Sequence, residues 1–227
     1  MNLRNSRVKI FKSRLDALLE HHSELKLAIY GKKKEESLHS ELVMQLALQS
    51  AVLWEAFLSD LVLAYVEMNP SKAFFEMKDR VQKSITNKFG KVCARCIRFQ
   101  GPRGINRRTI AGLLDEKGWN ITARTANELS IVANSFVVSK YARRFALDPG
   151  ESQFFAYVVA IRNYLSHHSA GSRAALKSAA AELTDPQNAA LRGGINAIGA
   201  YLKAATPSGP SRAEVIVMRL RALGDKL

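Results

Sequence analysis

Leu46-Ala47-Leu48-Gln49-Ser50-Ala51-Val52-Leu53-Trp54-Glu55-Ala56-Phe57-Leu58-Ser59-Asp60-Leu61 is the stretch from which the fold is read. Leu42, Leu46, Leu53, Phe57 and Leu61 fall at helical spacing and form one stripe. Val43, Ala47, Ser50, Trp54, Leu58 and Tyr65 widen it, and Leu48, Val52 and Leu63 cover much of the rest. A helix apolar nearly all round is packed by several neighbours and belongs at the centre of its fold. The run from Leu42 to Val66 is long, but Gln45, Gln49, Glu55 and Asp60 interrupt it. It therefore reads as a buried core helix and not as a membrane span. Ser37 or Ser40 is expected to cap its start and Asn69-Pro70 to end it.

Helical periodicity continues on both sides. Upstream, Ile10/Phe11, Leu15, Leu18/Leu19, Leu25 and Ile29 predict a helix over Val8 to Tyr30, closed by Gly31 and Lys32-Lys33-Lys34. Downstream, Ser71 to Lys88 predicts a third helix with Phe74, Phe75, Val81 and Ile85 inward. Ile110 to Leu114 reads as a short apolar turn. Within Trp119 to Arg144, Ala126, Leu129, Val132, Ala133, Phe136 and Val137 mark a further helix. The Ala-rich remainder predicts helices over Ser172 to Glu182, Ala189 to Ala204 and Ser211 to Leu223, separated by Asp185-Pro186 and by Thr206-Pro207-Ser208-Gly209-Pro210. No strand alternation stands out, so the fold class is all-α.

The chain has 227 residues, enough for one large domain or two small ones. With 47% hydrophobic and 24% charged residues it has the composition of a soluble globular protein. Its 34 Lys/Arg against 20 Asp/Glu give a formal charge of +14, an excess that favours an anionic partner such as nucleic acid. Arg80 to Arg108 holds nine Lys/Arg and no acid, with Phe89 and Phe99 interleaved and Gly90, Gly101-Pro102 and Gly104 as breakers. Residues 88–108 are therefore expected to form an exposed, loop-rich basic insert. Its Arg95, Arg98, Arg103, Arg107 and Arg108 are candidate RNA-binding residues, suited to phosphate contact beside base stacking. A solvated charged loop is the plainer reading of the same residues. Cys93-Ala94-Arg95-Cys96 has zinc-knuckle spacing but no second ligand pair nearby, so no metal site is expected. Two cysteines, with no disulfide framework and no secretory leader at Leu3-Arg4, suggest a reducing, cytoplasmic setting. His21-His22 and His39 have no convergent ligand pattern and are expected at the surface.

Arg162-Asn163-Tyr164-Leu165-Ser166-His167 carries the chemistry. Asp148-Pro149-Gly150-Glu151 is a capping box with proline at the first helical position, so these six residues fall at a helix end. Phe154, Tyr157, Val158, Ile161 and Leu165 form that helix's core stripe, and Gly171 is placed to close it. Val159, Asn163 and His167 share a row beside Phe155, Arg162 and Ser166, at the edge of the stripe. A permanent cation can hold a phosphate and offset developing charge, while an imidazole can move a proton. Asn163 can orient either, and His168 offers a second spacing from Arg162. One such histidine per chain means that a two-fold dimer would supply a second set. Arginine and histidine near a helix end also serve as dipole-compensating caps.

The motif and the Trp54-Glu55 helix together resemble the HEPN superfamily, α-helical domains of prokaryotic toxins and phage-defence ribonucleases. The likeness spans roughly 38–180 and is greatest to the subgroup associated with RNA-processing and ligase genes. It implies an up-and-down helical bundle over 38–180, apart from the basic 80–108 insert. Outside the resemblance, an N-terminal helix (1–37) is expected to pack on the bundle, and 181–227 to be a helical extension of the same globular unit. The resemblance also implies a homodimer through the motif helices, and cytoplasmic, cofactor-free RNA cleavage in a toxin–antitoxin or antiphage system. The 2′-OH attack would leave a 2′,3′-cyclic phosphate and a 5′-OH. By the match Arg162 and His167 are catalytic with Asn163, and Glu55, Ser166 and His168 are supporting. The partners implied are RNA and an antitoxin or other protein, with no membrane. The alternative is a non-catalytic RNA-binding or dimerising module of the same kind. Toxins silenced by nucleotidylation carry Tyr two places after the motif His, where this chain has Ser169.

Overall fold

The computed structural model describes residues 3–99, 101, 110–112, 123–207 and 209–227. The described residues are all-α, with no strand beyond an isolated bridge between Ala205 and Ser211. The readings placed on Arg103, Arg107, Arg108, Leu114 and Trp119 lie outside the described residues.

Helix α1 (Leu3–Ile29) turns at Gly31, which takes φ 69°, and returns as α2 (Glu35–Met68). Glycine adopts that left-handed φ without a Cβ clash. The return begins before either serine expected to cap it. Lys34 occupies the cap position without a side-chain bond, Glu35 accepts from the Gly31 amide at 2.8 Å, and Ser40 donates back to Glu36 inside the helix. Helix α2 then runs to Met68, and Leu61 to Val66 are all buried. It is long and apolar enough to cross a bilayer, but most of its apolar window is covered by protein. The covering elements are α1, α6 (Pro149–His167), α8 (Ile198–Lys203) and α9 (Arg212–Lys226). Val52, at 46% exposure, departs from the expected all-round burial.

One apolar cluster runs from Val8 to Leu227 and draws on all of these helices. Phe11, Trp54 and Phe57 form its aromatic centre, with Phe11 and Phe57 stacked 4.3 Å apart. Helix α9 approaches α1 closely there: a Cβ on Gly224 would lie 2.9 Å from the Phe11 ring, so this crossing needs glycine. The expected surface position of His22 is not observed. His22 is 5% exposed, with its ring 6.5 Å from that of His39, because it falls on the inward face of α1. Burial lowers both imidazole pKa values below the ordinary one, and Glu214 works against that shift.

Helix α3 (Ser71–Cys96) differs from the expected helix and loop. It continues through 88–96 across a break at Gly90, where φ is 82° and ψ 169°, so this part of the basic insert is helical. Phe74 is buried, but Phe75 is 63% and Val81 37% exposed, so the inward face is shorter than expected. Its main described neighbour is α4 (Ala126–Phe136), where Arg80 lies over the Phe136 ring at 4.8 Å. A short helical turn, α5 (Ser139–Ala142), and a 3-10 turn over Arg143–Phe145 lead to α6. The helix expected over Ala189 to Ala204 is also split. A 3-10 turn spans Pro186–Leu191, Gly193 takes φ 142°, and α8 starts only at Ile198. Adjacent Gly193-Gly194 removes the side chains that would hold a helix there.

Candidate functional site: the end of helix α6

The start of α6 is fixed from several sides. Asp148 accepts from the Glu151 amide at 2.9 Å, and Glu151 accepts from the Asp148 amide at 3.0 Å, completing the capping box. Lys226 from α9 reaches Glu151 at 2.5 Å and Asp148 at 3.4 Å. Asn188, fully buried, donates to the Gly150 carbonyl at 2.9 Å. Gly150 packs so closely on the 186–191 turn that an added Cβ would fall 2.5 Å from Asp185 Cγ.

The middle of α6 is core. Phe154, Tyr157, Val158, Ile161 and Leu165 are buried as their spacing predicts. Phe155, expected beside the polar residues, is buried too, with its ring edge-on to Trp54 at 6.5 Å. Tyr157 bonds to Tyr201 hydroxyl to hydroxyl at 2.8 Å, while Tyr201 donates to the Leu191 carbonyl. The Tyr201 proton is committed to that carbonyl, so Tyr157 is the donor in the pair. Burial raises the pKa of both hydroxyls, keeping them protonated donors.

The helix runs to His167, as the sequence predicts, but His168 and not Gly171 closes it. His168 adopts φ 49°, ψ 24°, and its amide donates to the Tyr164 carbonyl at 2.8 Å. Gly171 lies within the next helix, α7 (Ala170–Ala181), which Ser169 caps by accepting from the Ser172 amide at 3.1 Å.

At this end the sequence-predicted residues separate into two groups. Glu55, Arg162 and Asn163 come together across the α2–α6 contact. Arg162 Nε lies 3.4 Å from Glu55 Oε1, and Arg162 Nη1 donates to Asn163 Oδ1 at 3.1 Å. The Glu55 contact is electrostatic, because its geometry does not satisfy a hydrogen bond from the buried Arg162 Nε. Burial raises the Glu55 pKa and the Arg162 charge pulls it partly back. A small recess lined by Trp54, Glu55, Phe155 and Arg162 adjoins the pair.

Ser166, His167 and His168 lie exposed beyond it. Among the described residues His167 makes no hydrogen bond or ion pair with Arg162, Asn163 or Glu55. It is exposed in the last turn of the helix that carries Arg162. Ser166, expected in a row with Arg162, is exposed and shares no hydrogen bond with it among the described residues. Arg95 and Arg98 are exposed, Arg95 in the last turn of α3 and Arg98 just beyond it, with the free thiols of Cys93 and Cys96 in that same last turn.

Sequence reasoning missed a cleft of about 500 Å³ at the turn from α6 to α7, lined by Tyr164, His168, Ser169, Arg173 and Lys177. A signal existed: Arg173 and Lys177 are four apart on one face of a helix with no acid from Ala170 to Ala181. Compared with family models, with curated proteins and with solved structures, the chain matches none.

Proposed function

We propose that this protein is a metal-independent endoribonuclease of the HEPN kind, acting in a toxin–antitoxin or antiphage system. The observation that carries the reading is a held cation and an exposed imidazole at one helix end. Glu55 and Asn163 hold Arg162 half-buried, and His167 stands exposed one turn further on. The RNA 2′-OH attacks the adjacent phosphorus, its proton passes to a base, and the P–O5′ bond breaks as the 5′-oxygen gains a proton. The products are a 2′,3′-cyclic phosphate and a 5′-OH. Arg162 offsets charge on the nonbridging oxygens, and His167 is the proton-transfer group. A second His167 from a two-fold partner, docked through α6, supplies the other proton transfer. The exposed cations at the end of α3, Arg95 within it and Arg98 just beyond it, extend the RNA footprint.

A second reading, a non-catalytic RNA-binding or dimerising module, is favoured by one feature: within a single chain Arg162 is engaged by Glu55, and none of the described residues orients His167. Purified protein incubated with RNA in EDTA distinguishes the two. Cleavage leaving cyclic phosphate ends, lost in folded Arg162→Ala and His167→Ala, is expected. Cleavage that survives both substitutions removes the site, and RNA binding without cleavage moves the protein to the second reading.

A further inference from the structure

The cleft between the end of α6 and the first turns of α7 has the chemistry of a nucleotide subsite. Arg173 and Lys177 line it from α7, both exposed, and no carboxylate among the described residues lines it. Arg173 uses one amino group to donate to the Asn196 carbonyl at 2.6 Å, which steadies its side chain and leaves the rest of the guanidinium available. Tyr164 and His168 line it from the end of α6, and their rings meet edge-on, 5.5 Å apart. Two cations a helical turn apart in one cleft with an aromatic pair match what a single-stranded nucleic acid presents, a phosphate beside a π-face. The first turn of α7 is already served by Ser169, so the site rests on side chains and not on the helix end.

Position gives the cleft its meaning. Tyr164 lies between Arg162 and His167 in the motif, and His168 follows His167 directly. We infer that the cleft binds one nucleotide unit of single-stranded RNA adjacent to the bond presented to Arg162 and His167, with Arg173 and Lys177 on its phosphate and Tyr164 and His168 against its base. The inference rests on the RNA-cleaving reading and adds a site to it. The left-handed His168 belongs to the same feature: it ends α6 sharply, and the cations of α7 line one cleft with the motif tyrosine.

Binding of the full chain to a fluorescein-labelled, fully 2′-O-methylated RNA dodecamer, which cannot be cut because its 2′-oxygen is blocked, tests the subsite by anisotropy across a salt series. Arg173→Ala with Lys177→Ala is expected to weaken binding about tenfold and to lower the salt slope by about 2, one for each cation removed from the phosphates. Lys177→Ala alone, at an exposed side chain with no hydrogen bond or ion pair among the described residues, is expected to lower the slope by about 1, which keeps the test valid if the double variant folds poorly. Lys32→Ala with Lys33→Ala, removing the same charge at the α1–α2 turn, is expected to change affinity less than about twofold. Unchanged binding in both cleft variants overturns the subsite, and so does an equal loss in the control, since net charge then explains the effect. Failure of the unaltered protein to bind the dodecamer at all overturns the RNA-cleaving reading itself.

Discussion

Helices α6 and α3 are both amphipathic, and they use their apolar faces in opposite ways. Helix α6 buries Phe154, Phe155, Tyr157, Val158 and Ile161 against α2 and the C-terminal elements, and its start is tied down by Asp148, Glu151, Asn188 and Lys226. Helix α3 buries only Ala73, Phe74 and Ala94, and leaves Phe75, Phe89 and Val92 at 63%, 67% and 76% exposure. The polar residues differ accordingly. On α6 the cation Arg162 is held by neighbours, so its position is set before any ligand arrives. On α3 the cations stand on an open surface, suited to a broad, salt-sensitive contact. The comparison separates a place built for geometry from one built for charge.

Substitutions at the core face should show the largest contrast. Phe154→Ala is expected to cost about 3–5 kcal/mol by denaturant unfolding, whereas Phe89→Ala should stay within about 0.5 kcal/mol. An equal loss at Phe89 would mean that the α3 face is covered in solution. Within α6, His167→Ala is expected to lower the cleavage rate about 10²–10⁴-fold with no change in melting temperature, since the side chain is exposed. A fall in stability matching the fall in rate would recast His167 as structural. Lys91→Ala with Arg95→Ala on α3 should raise the RNA Kd about tenfold while leaving the rate at saturating RNA unchanged. A loss confined to the saturated rate would place α3 at the chemistry.

Smaller effects separate the two regions by pH. Burial raises the Glu55 carboxyl pKa, so its ionised form opposes folding: the associated stability is present below the ordinary carboxylate range and is lost as pH rises through the raised value. Glu55→Gln should therefore not lower the melting temperature at about pH 7, yet should reduce cleavage by releasing Arg162. The His22 and His39 pKa values are lowered from 6.5, so their contribution is present above about pH 6.5 and is lost as pH falls through the lowered values. Melting temperature should decline below that point, and His22→Gln should flatten the decline. On α3 the shifted group is Lys83, raised by its exposed neighbour Asp79, and substitution there should leave the pH profile unaltered.

Much of this organisation is legible in the sequence where one pattern dominates. The Leu42 to Val66 run identifies the central helix, and the Asp148 capping box identifies the start of α6 because its two hydrogen bonds are local. Local signals mislead where a distant contact decides the outcome. Ser37 and Ser40 look like caps, yet the Gly31–Glu35 bond starts α2 earlier. His22 looks exposed because its burial depends on α1 being laid along the core. Gly171 looks like a terminator, but His168 adopts the left-handed conformation first. At the site, the Glu55–Arg162 contact depends on how α2 and α6 cross, and the Arg173–Lys177 face becomes meaningful only once α7 folds back beside Tyr164.

The close packing at Gly150 has a genetic corollary. Any side chain there must displace Asp185, whose carboxylate caps the 186–191 turn by accepting from Gln187 at 2.7 Å, and the turn in turn holds the Gly150 carbonyl through Asn188. Gly150→Ala thus loosens the root of the motif helix without touching the residues at its tip. Such a lesion is the natural starting point for a temperature-sensitive allele, in which the motif helix loses its footing in a warm culture and recovers it on cooling.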